Sequence, residues 1–135
     1  MKLDNERKDR YLSKMGFIIE KLYTLPDEID SLEELEIDGV LYRVQTSIDA
    51  TLDIVAMMVR DIGIEVEDDY ENIEILKNKK VIDPKLADEL KKLNGLRNAI
   101  AHKYENLNIE LILNNLETVK EQLREFIDSI EGELS

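Results

Sequence analysis

A chain of 135 residues with 43% apolar side chains has the length of one domain and enough apolar surface for a core of its own. It has no cysteine, which excludes disulfides and thiolate metal sites, and its net charge of −13, taken globally, argues against a nucleic-acid partner. The charged N-terminus lacks the apolar core of a signal peptide, and no apolar run approaches the roughly 20 residues of a membrane span, so a soluble cytoplasmic protein without a membrane partner is expected. With five Gly and two Pro among abundant Leu, Ile, Glu and Lys, the composition points to an all-α fold. We expect a single domain over 1–135, an antiparallel bundle of four to five helices.

The first helix is expected over 4–25, where Tyr11, Met15, Ile18, Ile19 and Leu22 keep helical spacing and Pro26 ends the run. Residues 27–38 read as an acidic connector with a helical turn or two. A second helix is expected over 39–62. Its first half is amphipathic through Val40, Leu41, Val44 and Ile48, and its second half is apolar all round from Ile54 to Val59. Such a stretch must be covered on every side, as a central helix, by a second copy of the chain, or by both. A short third helix over 68–78 precedes Asp83-Pro84, an N-cap followed by proline in the first turn. The fourth helix, over 84–101, carries Leu86, Leu90, Leu93, Leu96 and Ile100 on one stripe. After a break at 106–108, with Asn108 as cap, a fifth helix over 109–130 shows a sustained apolar seam. The acidic runs Glu33-Glu34 and Glu67-Asp68-Asp69 read as surface.

Charge is unevenly spread. Residues 77–103 hold eight Lys and Arg against three Asp and Glu, and this segment ends in Arg97-Asn98-Ala99-Ile100-Ala101-His102-Lys103-Tyr104. His102 is the only histidine of the chain. Histidine moves protons near neutral pH, and arginine presents a fixed fork of donors to phosphate oxygens, so the pair suggests chemistry on a phosphodiester. Each residue alone also has a structural reading: Arg97 and His102 as partners of a helix C-terminus, Tyr104 as a packed ring. On a straight helix, five residues separate Arg97 from His102 by about 140°. One helix therefore does not bring both to one phosphate, unless the chain turns after Ala101 or a second subunit completes the site. Asp49 and Asp53, one turn apart on the second helix, suit a divalent cation, a brace for Arg97, or a solvated face. One histidine and no cysteine make a catalytic zinc site a poor fit.

Arg97-Asn98-x-x-x-His102-x-Tyr104 resembles the Arg-x-x-x-x-His-x-Tyr signature of the HepT-like branch of the HEPN superfamily. The run from Tyr42 to Ile54, the Asp83-Pro84 helix start and the long final helix are similar to the family layout, so the likeness covers about residues 4–130. The resemblance implies a HEPN-like helical bundle that forms homodimers. It implies a metal-independent endoribonuclease toxin that needs no cofactor, with RNA as substrate and a minimal nucleotidyltransferase as antitoxin. Arg97 and His102 would be the catalytic pair, Asn98 and Asp53 supporting residues, and Tyr104 the residue that the antitoxin modifies with AMP. Two rival readings are a non-catalytic HEPN module that partners a nucleotidyltransferase and a plain helical oligomer with no site.

Overall fold

A computed structural model describes residues 2–102 and 104–134, with the backbone alone at Tyr104. Among the described residues there are six α-helices and one 3-10 turn, and no strand: α1 Asn5–Tyr23, α2 Glu34–Asp61, α3 Asp69–Asn78, α4 Pro84–His102, the turn Tyr104–Asn106, α5 Ile109–Asn114 and α6 Leu116–Leu134. The all-α expectation holds. No described helix is long and apolar enough to cross a membrane.

The helix starts follow capping chemistry. The Asp4 carboxylate accepts from the Arg7 N–H at 2.9 Å, Asp68 from Glu71 at 2.8 Å, Asp83 from Leu86 at 2.7 Å and Asn108 from Leu111 at 3.1 Å. Part of the acidity read as plain surface is therefore cap. The same logic moves the start of α2. Glu36 reaches back to the Glu33 N–H at 3.2 Å, so the helix begins at Glu34 rather than at Gly39.

The 28-residue α2 is the axis of the bundle and packs against α1, α3, α4 and α6. Ile54, Val55, Met58 and Val59 are fully buried within one chain, while Ala56 and Met57 of the same stretch are half-buried, so the bundle covers most of that all-apolar run and leaves one side partly open. The expected fifth helix is in fact two. At Asn115 the backbone turns to φ −103, ψ 10, its N–H donates to Leu111 and Ile112, and its side-chain amide donates to the Leu111 carbonyl at 2.8 Å. That side chain offers the carbonyl a competing donor and separates α5 from α6. The apolar seam continues across the break through Ile112, Leu116, Val119, Leu123, Phe126, Ile127 and Ile130.

Two polar groups pin the bundle, and a third weighs on it as pH rises. Asp61, its side chain only 1% exposed, accepts from the Tyr11 hydroxyl at 2.6 Å and from Arg7 Nη1 at 2.5 Å, tying α1 to the end of α2. Lys120 is buried on α6, where its ammonium donates to the Pro26 carbonyl, Asp27 and Glu117 at 3.1, 3.1 and 2.9 Å. Burial opposes its charge, but the hydrogen bonds to Glu117 and Asp27 outweigh that and raise its pKa. The connector after α1 is thereby clamped to α6.

The third is Glu89 on α4, facing Glu125 of α6 with Lys85 at the rim. Burial, then the hydrogen bond with Glu125, pushes the Glu89 carboxyl above the usual carboxylate range. A carboxyl whose folded-state pKa is raised binds its proton more tightly when folded. Its ionisation therefore costs stability as pH rises past about 4.3, the unfolded value, up to its folded pKa. Glu89→Gln is expected to raise Tm at pH 7, with the gain vanishing below about pH 4; thermal melts across that range check it.

Candidate active site on helix α4

The leucine stripe of α4 is buried and fixes the rotation of that helix, which leaves Arg97 at the edge facing α2, with its side chain 28% exposed. From α2, Asp49 accepts from Arg97 Nε at 2.5 Å. Arg97 Nη1 donates to the Asn98 amide oxygen at 2.9 Å. The Asp49 hydrogen bond raises the Arg97 pKa against the opposing effect of burial. Among the described residues these contacts engage two of the five guanidinium N–H groups, and three remain to face an incoming anion. The arrangement is a braced cation: one edge is tethered to a neighbouring helix, and the rest faces the surface.

Of the two acidic residues one turn apart, Asp49 is the one bonded to Arg97. Asp53 accepts from Lys14 Nζ of α1 at 2.8 Å. Asp53 adds only its charge to the field at Arg97, and Asp69 of α3 adds its own. The contact with Arg97 is thus made by Asp49 and not by Asp53, because a carboxylate four residues further along α2 faces α1. Among the described residues no group of three His, Asp or Glu side chains is placed to share a metal ion.

α4 stays helical through His102, which is its last residue and is exposed. The chain therefore does not turn before the histidine, and the divergence of about 140° applies, with about 7.5 Å of rise between the two Cα atoms. The structure brings Arg97 together with Asn98 and Asp49, and leaves His102 on another face of the same helix. The Tyr104 side chain and Lys103 lie outside the described residues.

The basic segment is less basic than its sequence. Lys91 and Lys77 both pair with Glu74, Lys85 pairs with Glu125 and Glu89, and Arg97 with Asp49. Local pairing neutralises much of the excess.

The model of the family described as Ribonuclease HepT-like matches residues 9–130. The chain belongs to the HepT-like family. A protein of Archaeoglobus fulgidus, named provisionally as an RNase, is 44% identical to this HepT-like chain over 128 residues, covering 95% of it and 96% of the relative. The mRNA nuclease HepT of Shewanella oneidensis is 31% identical over 98 residues, covering 71% and 73%. The fold is also that of the tri-AMPylated HEPN toxin of Shewanella oneidensis solved in complex with MNT antitoxin, with a TM-score of 0.79 at 23% identity, over 96% of this chain and 99% of that one.

Proposed function

We propose that this HepT-like chain is a metal-independent endoribonuclease toxin, with its active site in the groove of a homodimer and a minimal nucleotidyltransferase as its antitoxin. The observation that carries the reading is Arg97, braced by Asp49 and Asn98 at the surface of the helix that ends in His102. The relative named mRNA nuclease HepT and the toxin solved with an MNT antitoxin support the class of reaction and of partner.

Cleavage of RNA without a metal needs a base for the 2′-hydroxyl, an acid for the leaving oxygen and a cation for the phosphorane. The 2′-oxygen attacks phosphorus as its proton goes to the base. The bond to the 5′-oxygen breaks as that oxygen takes a proton from the acid. Arg97 supplies the cation. His102 supplies a proton-transfer group, and a single chain has only one. A groove between two chains brings two copies of His102 and, from the facing helix, the Arg97 that one chain cannot align with its own histidine. AMP on Tyr104 would add negative charge and bulk beside such a groove and oppose an RNA phosphate. The cytoplasm is where its RNA substrate and its antitoxin would be met.

The test is purified protein with single-stranded RNA in chelator. Wild-type protein is expected to cleave and His102→Ala is not; no cleavage by wild type, or equal cleavage by both, overturns the reading in favour of a non-catalytic module. Dimers joining one wild-type chain to one His102→Ala chain separate the geometries. A groove that uses both histidines loses nearly all activity, whereas two independent sites keep about half.

A further inference from the structure

A groove of about 380 Å³ runs between α1 and α2 beside Arg97, lined by Ser13, Lys14, Phe17, Thr46, Asp49 and Asp53. Its volume is in the range of small-ligand pockets. Asp49 belongs to both places: it lines the groove and accepts from Arg97, so the guanidinium stands at the rim. Neither carboxylate presents a bare charge, because Asp49 is paired with Arg97 and Asp53 with Lys14. The Phe17 ring is 39% exposed, with the Lys21 ammonium 5.1 Å from its centroid. Lys21 has no ion pair among the described residues. Arg43, on the next part of α2, donates to the Thr24 hydroxyl at 2.6 Å and likewise meets no carboxylate there. Tyr42 is 63% exposed and lies on the α2 face of Thr46, Asp49 and Asp53 by its helical spacing.

We propose that this groove is a track for single-stranded RNA: the base beside the phosphate at Arg97 stacks on Phe17, the strand continues toward Tyr42, and its backbone follows Lys21 and Arg43. The inference rests on the ribonuclease reading and says where the substrate lies. Arg97 and Lys14 neutralise the two carboxylates, and Lys21 and Arg43 add two further positive charges in a chain whose net charge is −13, so the track is a local exception to a surface that repels RNA. Exposed aromatic faces interleaved with cations are the chemistry of sequence-tolerant single-strand binding. A paired duplex does not offer its base faces to a ring in the wall of a groove, so the ligand is a single strand.

The experiment uses the whole chain and a single-stranded oligoribonucleotide carrying 2-aminopurine, whose fluorescence falls when it stacks. Wild-type protein is expected to quench the probe. Phe17→Leu keeps apolar bulk but has no ring; it is expected to abolish the quench, weaken binding and raise KM about tenfold, leave kcat within about twofold, and leave Tm unchanged. Phe17→Tyr restores both quench and KM. Cleavage with an unchanged KM in Phe17→Leu overturns the track and leaves the ribonuclease standing. Quenching lost in Phe17→Leu, but without cleavage by wild type, supports the track and sinks the ribonuclease. Neither binding nor cleavage by wild type overturns both. Unchanged RNA binding with lost dimer or antitoxin assembly in Phe17→Leu makes the face a protein interface and overturns the track.

Discussion

Arg97→Ala is expected to lower RNA turnover by a factor of about 10²–10³, the usual cost of removing a donor aimed at charge that develops in a transition state. Arg97→Lys is not expected to restore it. An ammonium cannot donate to Asp49, Asn98 and a phosphate in one plane, whereas the planar guanidinium, bonded to Asp49 and Asn98 at 2.5 and 2.9 Å, keeps donors for a third partner. Asp49→Ala gives the sharper readout. Removing a carboxylate beside a phosphate site strengthens the field that attracts RNA, so electrostatics alone predict tighter binding and undiminished rate. If Asp49 orients Arg97, kcat falls instead by about 10²-fold while KM holds or improves, because a displaced catalytic group loses its alignment. Asp49→Asn keeps an oxygen that accepts from Nε and recovers part of the rate. Asp53→Asn, whose partner is Lys14, is expected to change kcat less than Asp49→Asn does. Steady-state kinetics on the three carboxylate variants, beside melting curves that show each is folded, decide between the two carboxylates.

That contrast marks how far the sequence can be read. Local signals carried well: Asp83-Pro84 opens α4, Asn108 caps α5, and the apolar stripes of α1 and α4 are buried except at Ile19, which is exposed, and Leu96, which is half-buried. Each depends on residues within one or two turns. Asp49 and Asp53 sit one turn apart with the same side-chain chemistry, and which of them meets Arg97 depends on the rotation of α2 against α1 and α4. That rotation is set by the whole core and has no local signature. The break at Asn115 was hidden for the opposite reason. The apolar period runs through it uninterrupted, and a single amide that takes the Leu111 carbonyl leaves no mark on a hydrophobic pattern. Charge was misread most. The lysines of residues 77–103 look like a basic surface in sequence, yet Glu74, Glu89 and Glu125 answer Lys77, Lys85 and Lys91 from α3, α4 and α6. Among the described residues the cations without carboxylate partners beside the groove, Lys21 and Arg43, lie outside residues 77–103, where the sequence drew no attention to charge.

Asp61→Ala carries the largest expected loss of stability. At the end of α2 its carboxylate is buried between Tyr11 and Arg7, 50 and 54 residues away. Removing it leaves the fully buried Tyr11 with a hydroxyl that has no acceptor, a cost of about 3 kcal/mol. For a domain of this size that is a fall in Tm of roughly 10 °C. Arg7, half-exposed, turns to water and adds little. Tyr11→Phe removes one donor but leaves Asp61 its Arg7 partner, and is expected to cost about 2 kcal/mol. Burial, and then the hydrogen bond to Asp61, hold the Tyr11 phenol above its ordinary range, which favours its role as a donor. The double variant separates an orphaned hydroxyl from a simple loss of packing. Without the hydroxyl there is nothing to strand, so Tyr11→Phe with Asp61→Ala is expected to cost clearly less than the two single changes added together. Additive costs in urea melts would show that the two side chains stabilise the α1–α2 junction independently.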